Sequence, residues 1–184
     1  MIEARPALGW RLRDATESTT KAGQRSHVQS SEALVEKMAA EMPKKLQELL
    51  ETFDMFPDPA DRTQLLLSYA DQFREVPKEI ATRPFPKDHQ VPQCESDAYV
   101  WAMKQPDGTL NLYFAVENPS GVSARALAAI LDRTLSGLPA SDIANVSCDI
   151  VERIFRRNIS MGKGMGLMAM VQAVQTLAKN ASKP

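Results

Sequence analysis

Two cysteines and two histidines are all that this 184-residue chain contains, too few for a disulfide-framed domain, and no C-x-x-C or mixed Cys/His cluster offers a zinc site. Neither sign of charge is in excess: 22 Lys and Arg face 23 Asp and Glu, which gives no basic footprint for nucleic acid or for an anionic membrane surface. No apolar run approaches the roughly 20 residues that a membrane helix needs. The N-terminus also lacks the apolar core of a secretory signal. Phosphate-loop spacing is absent too. Gly162-Lys163-Gly164 has neither a G-x-x-x-x-G-K-[ST] order nor a strand before it, and reads as a tight connection between helices with one solvated lysine. These absences leave proteins or small molecules as partners, with no nucleic acid and no membrane. They make a reducing compartment, the cytoplasm, the expected address.

Length and composition fit one domain with a tail. Residues 1–42 carry Ser, Thr, Gln, Arg and Glu with few large apolar side chains, so they cannot bury enough surface to offset the entropy of ordering, and are expected to be a disordered tail with at most a short helix over 31–42. An organelle transit peptide would be poor in acids, against which stand Glu3, Asp14, Glu17 and Glu32; a start at Met38 or Met42 is the other reading of this stretch. The folded domain is expected over residues 43–181.

Within it, Leu46, Leu49, Leu50 and Phe53 recur at helical spacing after Pro43. A second helix follows Pro57-Asp58-Pro59, with Asp58 as N-cap, Pro59 in the first turn and Leu65, Leu66, Tyr69 and Phe73 as its buried stripe. Four prolines between Val76 and Pro92 predict an irregular segment. Two strands, 98–104 and 109–116, flank a Gln105-Pro106-Asp107-Gly108 turn. A helix through Leu135 is expected to be capped by Ser120 or Ser123, and a shorter one after Ser147 to turn Ile150, Val151, Ile154 and Phe155 inward. A glycine-rich link over 161–166 leads to a last helix reaching about Lys179. The fold class is α+β: a small antiparallel sheet packed against several helices.

Against this outline one stretch carries chemistry, Asp88-His89-Gln90-Val91-Pro92-Gln93-Cys94-Glu95-Ser96-Asp97. It places a thiol in a proline-limited loop just before a strand, which gives a nucleophile both access and a defined orientation. Free cysteine is ordinarily a small buried hydrophobe, but Gln93, Glu95, Ser96 and Asp97 around Cys94 are all polar. Cys148, in a helix with an apolar face, is expected to be buried and inert. His89 reads as a loop residue, Met161, Met165, Met168 and Met170 as core filler or an adaptable binding surface, and Asp58, Asp61, Glu95 and Asp97 as caps and solvated charges.

Taken together, these stretches resemble the SufE family, sulfur acceptors that work with cysteine desulfurases in iron-sulfur cluster assembly. Residues 49–67, with Phe53, Asp61, Arg62 and Leu66, look like its opening helices, and Val91-Pro92-Gln93-Cys94-Glu95-Ser96 is similar to its active-cysteine loop, usually Val-x-Gly-Cys-x-Ser-x-Val-Trp. Arg125-Ala126-Leu127-Ala128 and Gly166-Leu167 extend the likeness, which runs from about Lys44 to Ala181. Gln93 stands where the family has Gly, Asp97 where it has Gln, and Tyr99 where it has Trp, with Trp101 two residues on; Asn118 and Ser120 replace acidic residues. Lys163 replaces the arginine before the last helix, keeping its charge without the bidentate fork.

The resemblance implies an α+β fold related to IscU-like cluster scaffolds. It implies that Cys94 takes persulfide sulfur from a SufS-like cysteine desulfurase, stimulates it, and passes the sulfur to a SufB-like scaffold. Lys163 would assist, and no cofactor would be bound, because the carbon–sulfur bond is broken by the desulfurase's pyridoxal phosphate. A metal or cluster scaffold and a regulatory desulfurase-binding module are the alternative readings, and homodimerisation is left open. Because the tail lacks a buried apolar pattern, a chain beginning at Met42 should melt within a few degrees of the full chain by circular dichroism, and a large loss would show that the tail docks on the domain.

Overall fold

The computed structural model describes residues 42–183, so the expected tail lies outside the described residues except for Met42. The elements are α1 (Lys44–Asp54), α2 (Pro59–Asp71), β1 (Ala98–Lys104), β2 (Thr109–Val116), α3 (Val122–Leu135), β3 (Leu138–Pro139), α4 (Ala140–Ala144), α5 (Ile150–Phe155) and α6 (Met161–Ala181), with 3₁₀ turns at Lys87–His89 and Arg156–Asn158. The sheet is antiparallel in the order β1-β2-β3, and the α+β class is as the sequence predicts.

Local chemistry accounts for most boundaries. Asp58 Oδ1 accepts the amides of Ala60 and Asp61 at 2.8 and 3.2 Å, so α2 starts on a side-chain cap with Pro59 in its first turn. The hairpin closes with Gly108 N–H donating to Gln105 O at 3.0 Å, and the register pairs Val100 with Phe114. Alternation then places Ala98 and Val100 with Leu110, Leu112, Phe114 and Val116 on the face that α3 and α6 cover, the main core.

The outer edge of β2 is partnered along its length. Leu138 pairs with Leu110, Gly137 N–H donates to Leu110 O at 2.8 Å, Ser136 Oγ accepts Leu112 N–H at 3.0 Å, and Val76 N–H donates to Phe114 O at 2.8 Å. No long stretch of this edge is left open for pairing with another chain.

Three sequence expectations are corrected. Neither Ser120 nor Ser123 caps α3, which begins after Gly121 without a side-chain cap, because Val116, Asn118 and Ser96 approach too closely: a Cβ on Gly121 would lie 2.8 Å from Val116 Cγ1. The glycine-rich stretch is no link but the first turns of α6, which starts at Ser160, whose Oγ accepts Lys163 N–H at 3.4 Å. The opposite face of the sheet is also covered. Tyr99, Trp101 and Ala115 pack there against Val76 and Phe85, with the Phe85 ring 5.2 and 5.4 Å from those of Tyr99 and Trp101, so the irregular segment is a second small core.

The third correction concerns α2, where Leu65, Tyr69 and Phe73 are only half-buried and the most enclosed polar side chain is Arg62, 1 % exposed. Its guanidinium donates to Phe56 O at 3.1 Å, to Arg153 O and Ile154 O at 2.8 Å each, and to Phe53 O. These carbonyls lie in the last turns of α1 and α5 and in the α1–α2 link, where helix ends carry partial negative charge, and the Phe53 ring lies 5.5 Å from the guanidinium carbon. Burial lowers its pKa from the usual arginine range, the Arg156 charge adds to that, and Asp54 opposes it. Arg62→Ala would leave those carbonyls buried without donors, so urea unfolding should register a loss on the order of 3 kcal/mol, with Arg62→Lys intermediate because it lacks the fork.

Candidate functional site

Strand pairing brings the Cys94 loop to the end of the hairpin where β1 begins and β2 ends. Val91 N–H donates to Ala98 O at 2.8 Å, and Asp97 N–H to Cys94 O at 3.1 Å. The end of β2 reaches back: Glu117 N–H donates to Asp97 O and Asn118 N–H to Ser96 O, at 3.1 and 3.2 Å. Upstream, His89 Nδ1 lies 3.0 Å from Val100 O while its ring stacks on Trp101 at 5.2 Å. The thiol therefore belongs to an ordered loop held at both flanks, and it is half-exposed.

Beneath the loop runs α6, and the contact is backbone on backbone. A Cβ on Gly166 would stand 3.2 Å from Cys94 Cα and 3.2 Å from Gln93 O, tighter than most such contacts, so the loop would have to give by a few tenths of an ångström, and Gly166 itself is buried. This is why glycine occurs inside a long helix, where it otherwise costs about 1 kcal/mol relative to alanine. The loop backbone is tense as well. Gln93 has φ +56° and Asp97 φ +46°, left-handed conformations that favour glycine, and Gln93 is the position where the resembled loop carries glycine.

Cys94 lines two hollows. One is a recess of about 30 Å³, room for a group the size of a water molecule, whose wall includes Ser96, Gly121, Gly162, Lys163 and Gly166. The other is an open groove of about 580 Å³ bounded by Lys87, Gln90, Pro92, Gln93 and Glu95. The two residues singled out from sequence are thus brought together: Lys163, exposed on the first turn of α6, lines the same recess as Cys94. The recess also adjoins the first turns of α3 and α6, whose amide ends favour negative charge, while the Glu95 carboxylate on the same wall opposes it.

Sequence reasoning noted Asn118 only as a departure from the resembled pattern and missed its role. Its Nδ2 donates to Glu95 O at 3.2 Å while its Oδ1 accepts Ser120 N–H at 2.9 Å, so one side chain ties the Cys94 loop to the turn before α3. A carboxylate at this position could not donate to Glu95 O. The signal was available as an asparagine standing where the resembled pattern is acidic.

Cys148 is half-exposed, where burial was expected, with Sγ 3.9 Å from Met168 O. Burial, followed by the Asp149 charge, raises its pKa and outweighs the opposing effects of Gln172 and Lys179, so the thiol is held protonated and slow at neutral pH. Of the methionines, Met170 is core filler, whereas Met161, Met165 and Met168 are exposed. Among the described residues, no group of three or more His, Cys, Asp or Glu is placed to hold a metal ion, and no helix is long and apolar enough to cross a membrane.

Fold and site define an α+β protein that presents one anchored loop cysteine above a glycine-bearing helix. Residues 47–178 match the family described as SufE: Fe-S metabolism associated domain, and the chain belongs to that family. A curated relative, SufE-like protein 1, chloroplastic/mitochondrial, of Arabidopsis thaliana, is 27 % identical over 139 residues, covering 75 % of this chain and 36 % of its own length, so this chain spans about a third of that protein. A solution structure of a hypothetical protein from Thermus thermophilus is 25 % identical and superimposes with a TM-score of 0.60, covering 76 % of this chain and 97 % of that one.

Gly166→Ala should disturb the loop far more than the fold. A melting temperature within a few degrees of the parent, with an altered rate of iodoacetamide labelling at Cys94, is the expected result, and Gln93→Gly should be neutral or stabilising by up to about 1 kcal/mol because it relaxes the left-handed backbone.

Proposed function

We propose that this protein is a sulfur carrier: it takes persulfide sulfur from a SufS-like cysteine desulfurase onto Cys94, stimulates that enzyme, and passes the sulfur to a SufB-like iron-sulfur scaffold. The observation that carries the reading is the half-exposed Cys94 on a loop pinned to α6 at Gly166, inside the span that matches a family associated with iron-sulfur metabolism.

In the transfer step the Cys94 thiolate attacks the outer sulfur of the donor persulfide. A sulfur–sulfur bond forms at Cys94 as the donor's own sulfur–sulfur bond breaks, and the donor cysteine leaves as thiolate with the electron pair. One such bond is exchanged for another, so no oxidant or reductant enters. The recess of about 30 Å³ suits a single outer sulfur, and Lys163 with the two helix ends stabilises its negative charge against the opposing Glu95 carboxylate. The open groove on the other side of the loop gives the partner access. Delivery to the scaffold repeats the exchange with an acceptor thiolate. A thiol used in this way needs a reducing compartment, the cytoplasm being the expected one.

Incubation with a cysteine desulfurase and free cysteine should add the mass of one sulfur atom to the protein. The gain should vanish in Cys94→Ser and persist in Cys148→Ser, and stimulation of the desulfurase should follow the same division. Sulfur found only on Cys148 would overturn the assignment, and stimulation retained by Cys94→Ser without any mass gain would identify a regulatory binder instead.

A further inference from the structure

Away from Cys94, the end of α5 and the turn after it carry Arg153, Arg156 and Arg157, and together with Arg62 they line a hollow of about 690 Å³ that also includes Pro57 and Pro59. None of its residues lines the recess at Cys94. We propose that this hollow is a second binding site, which takes a small phosphate-bearing anion on the arginines of the α5–α6 turn.

Three observations carry the proposal. First, the hollow's volume lies in the range of small-molecule sites, roughly 300–1,000 Å³. Second, the charge is unbalanced. Arg153 and Arg156 each give one N–H to the same carboxylate, Asp54, at 2.8 and 2.9 Å, and their side chains stay 43 % and 42 % exposed, so most of their donors remain open. Arg157 makes no ion pair with a described residue. Four guanidinium groups against Asp149, Glu152 and the shared Asp54 leave positive charge in excess. Arg62 registers it: after burial, the next influence lowering its pKa is the charge of Arg156. The three exposed cations are all arginine, whose planar fork matches phosphate oxygens in a way that lysine's point charge does not, and the buried Arg62 adds its charge from below with most of its own donors already used.

The third observation is the backbone of Arg156, with φ +46° and ψ −122°, a region that glycine fills with ease and other residues avoid. The fold alone would be served by glycine there. A strained residue that also lines this hollow marks a position held for what its side chain does.

The test uses the full chain and inorganic pyrophosphate as probe, with thermal unfolding and calorimetric titration run against sodium chloride of equal ionic strength. A saturable rise in melting temperature with a single site is expected. Arg157→Ala and Arg156→Gly should each weaken that site by at least about tenfold, the loss for a charge-assisted hydrogen bond. Without pyrophosphate Arg156→Gly should melt at or above the parent temperature, which separates loss of the site from loss of the fold. Lys163→Ala, at the other end of α6's first turn, should bind pyrophosphate as the parent does. No response to pyrophosphate, a rise equalled by sodium chloride, a rise kept in both arginine variants, or binding of an acidic peptide in place of pyrophosphate would each overturn the proposal.

Discussion

The approach of one backbone to another, the Cys94 loop onto α6 at Gly166, is the constraint on which the arrangement of this domain turns. With a Cβ at that position the loop would have to shift by a few tenths of an ångström, because the added atom would stand 3.2 Å from both Cys94 Cα and Gln93 O. Contact at this distance fixes the height of the thiol above the helix and sets the depth of the recess that it shares with Lys163. It also makes the first turns of α6 part of the site, although they contribute no nucleophile. Gly121 does the same on the other side, letting Ser96 approach the start of α3.

Arg62 plays a comparable part for the helices, by different physics. Apolar side chains would bury more surface at that point, yet a guanidinium is what joins three chain segments whose carbonyl ends would otherwise face one another unpaired. The cost is a buried charge compensated only by dipoles, a ring face and a carboxylate at some remove. Such a cation specifies how α1, α2 and α5 meet, because apolar contact alone would allow them to slide.

Much of this was legible in the sequence, and for identifiable reasons. The hairpin was readable because alternation and a Pro-Asp-Gly turn act within a few residues, and both strands begin and end where the pattern puts them. Asp58 was readable as a cap for the same reason. Cys94 stood out through its polar neighbours and the resemblance of its loop. What escaped depends on residues distant in sequence. Glycines at 162, 164 and 166 read as a break because the loop that needs Gly166 to be bare lies some seventy positions earlier. Arg62 was not part of the buried stripe expected for α2, because two of its four carbonyl partners lie in α5, some ninety positions later. Tyr99 and Trp101 looked like a departure from the resembled loop, yet two positions along a strand is one full alternation, so the tryptophan keeps the same face.

Trp101 also gives the molecule an optical property. The chain has two tryptophans, Trp10 and Trp101, and the second is buried against His89, whose imidazole lies nearly parallel to the indole at 23° and stands five residues before the thiol. An indole enclosed in this way emits in an apolar environment, and a neighbouring imidazole can quench it to a degree that depends on distance and on protonation. Because His89 is tied to Val100 O and the loop leaves from the next residues, any displacement of the loop is transmitted to the stack. Once the light from Trp10 is removed, the intrinsic fluorescence of this protein becomes a report on the position of its own cysteine loop, read without any added dye.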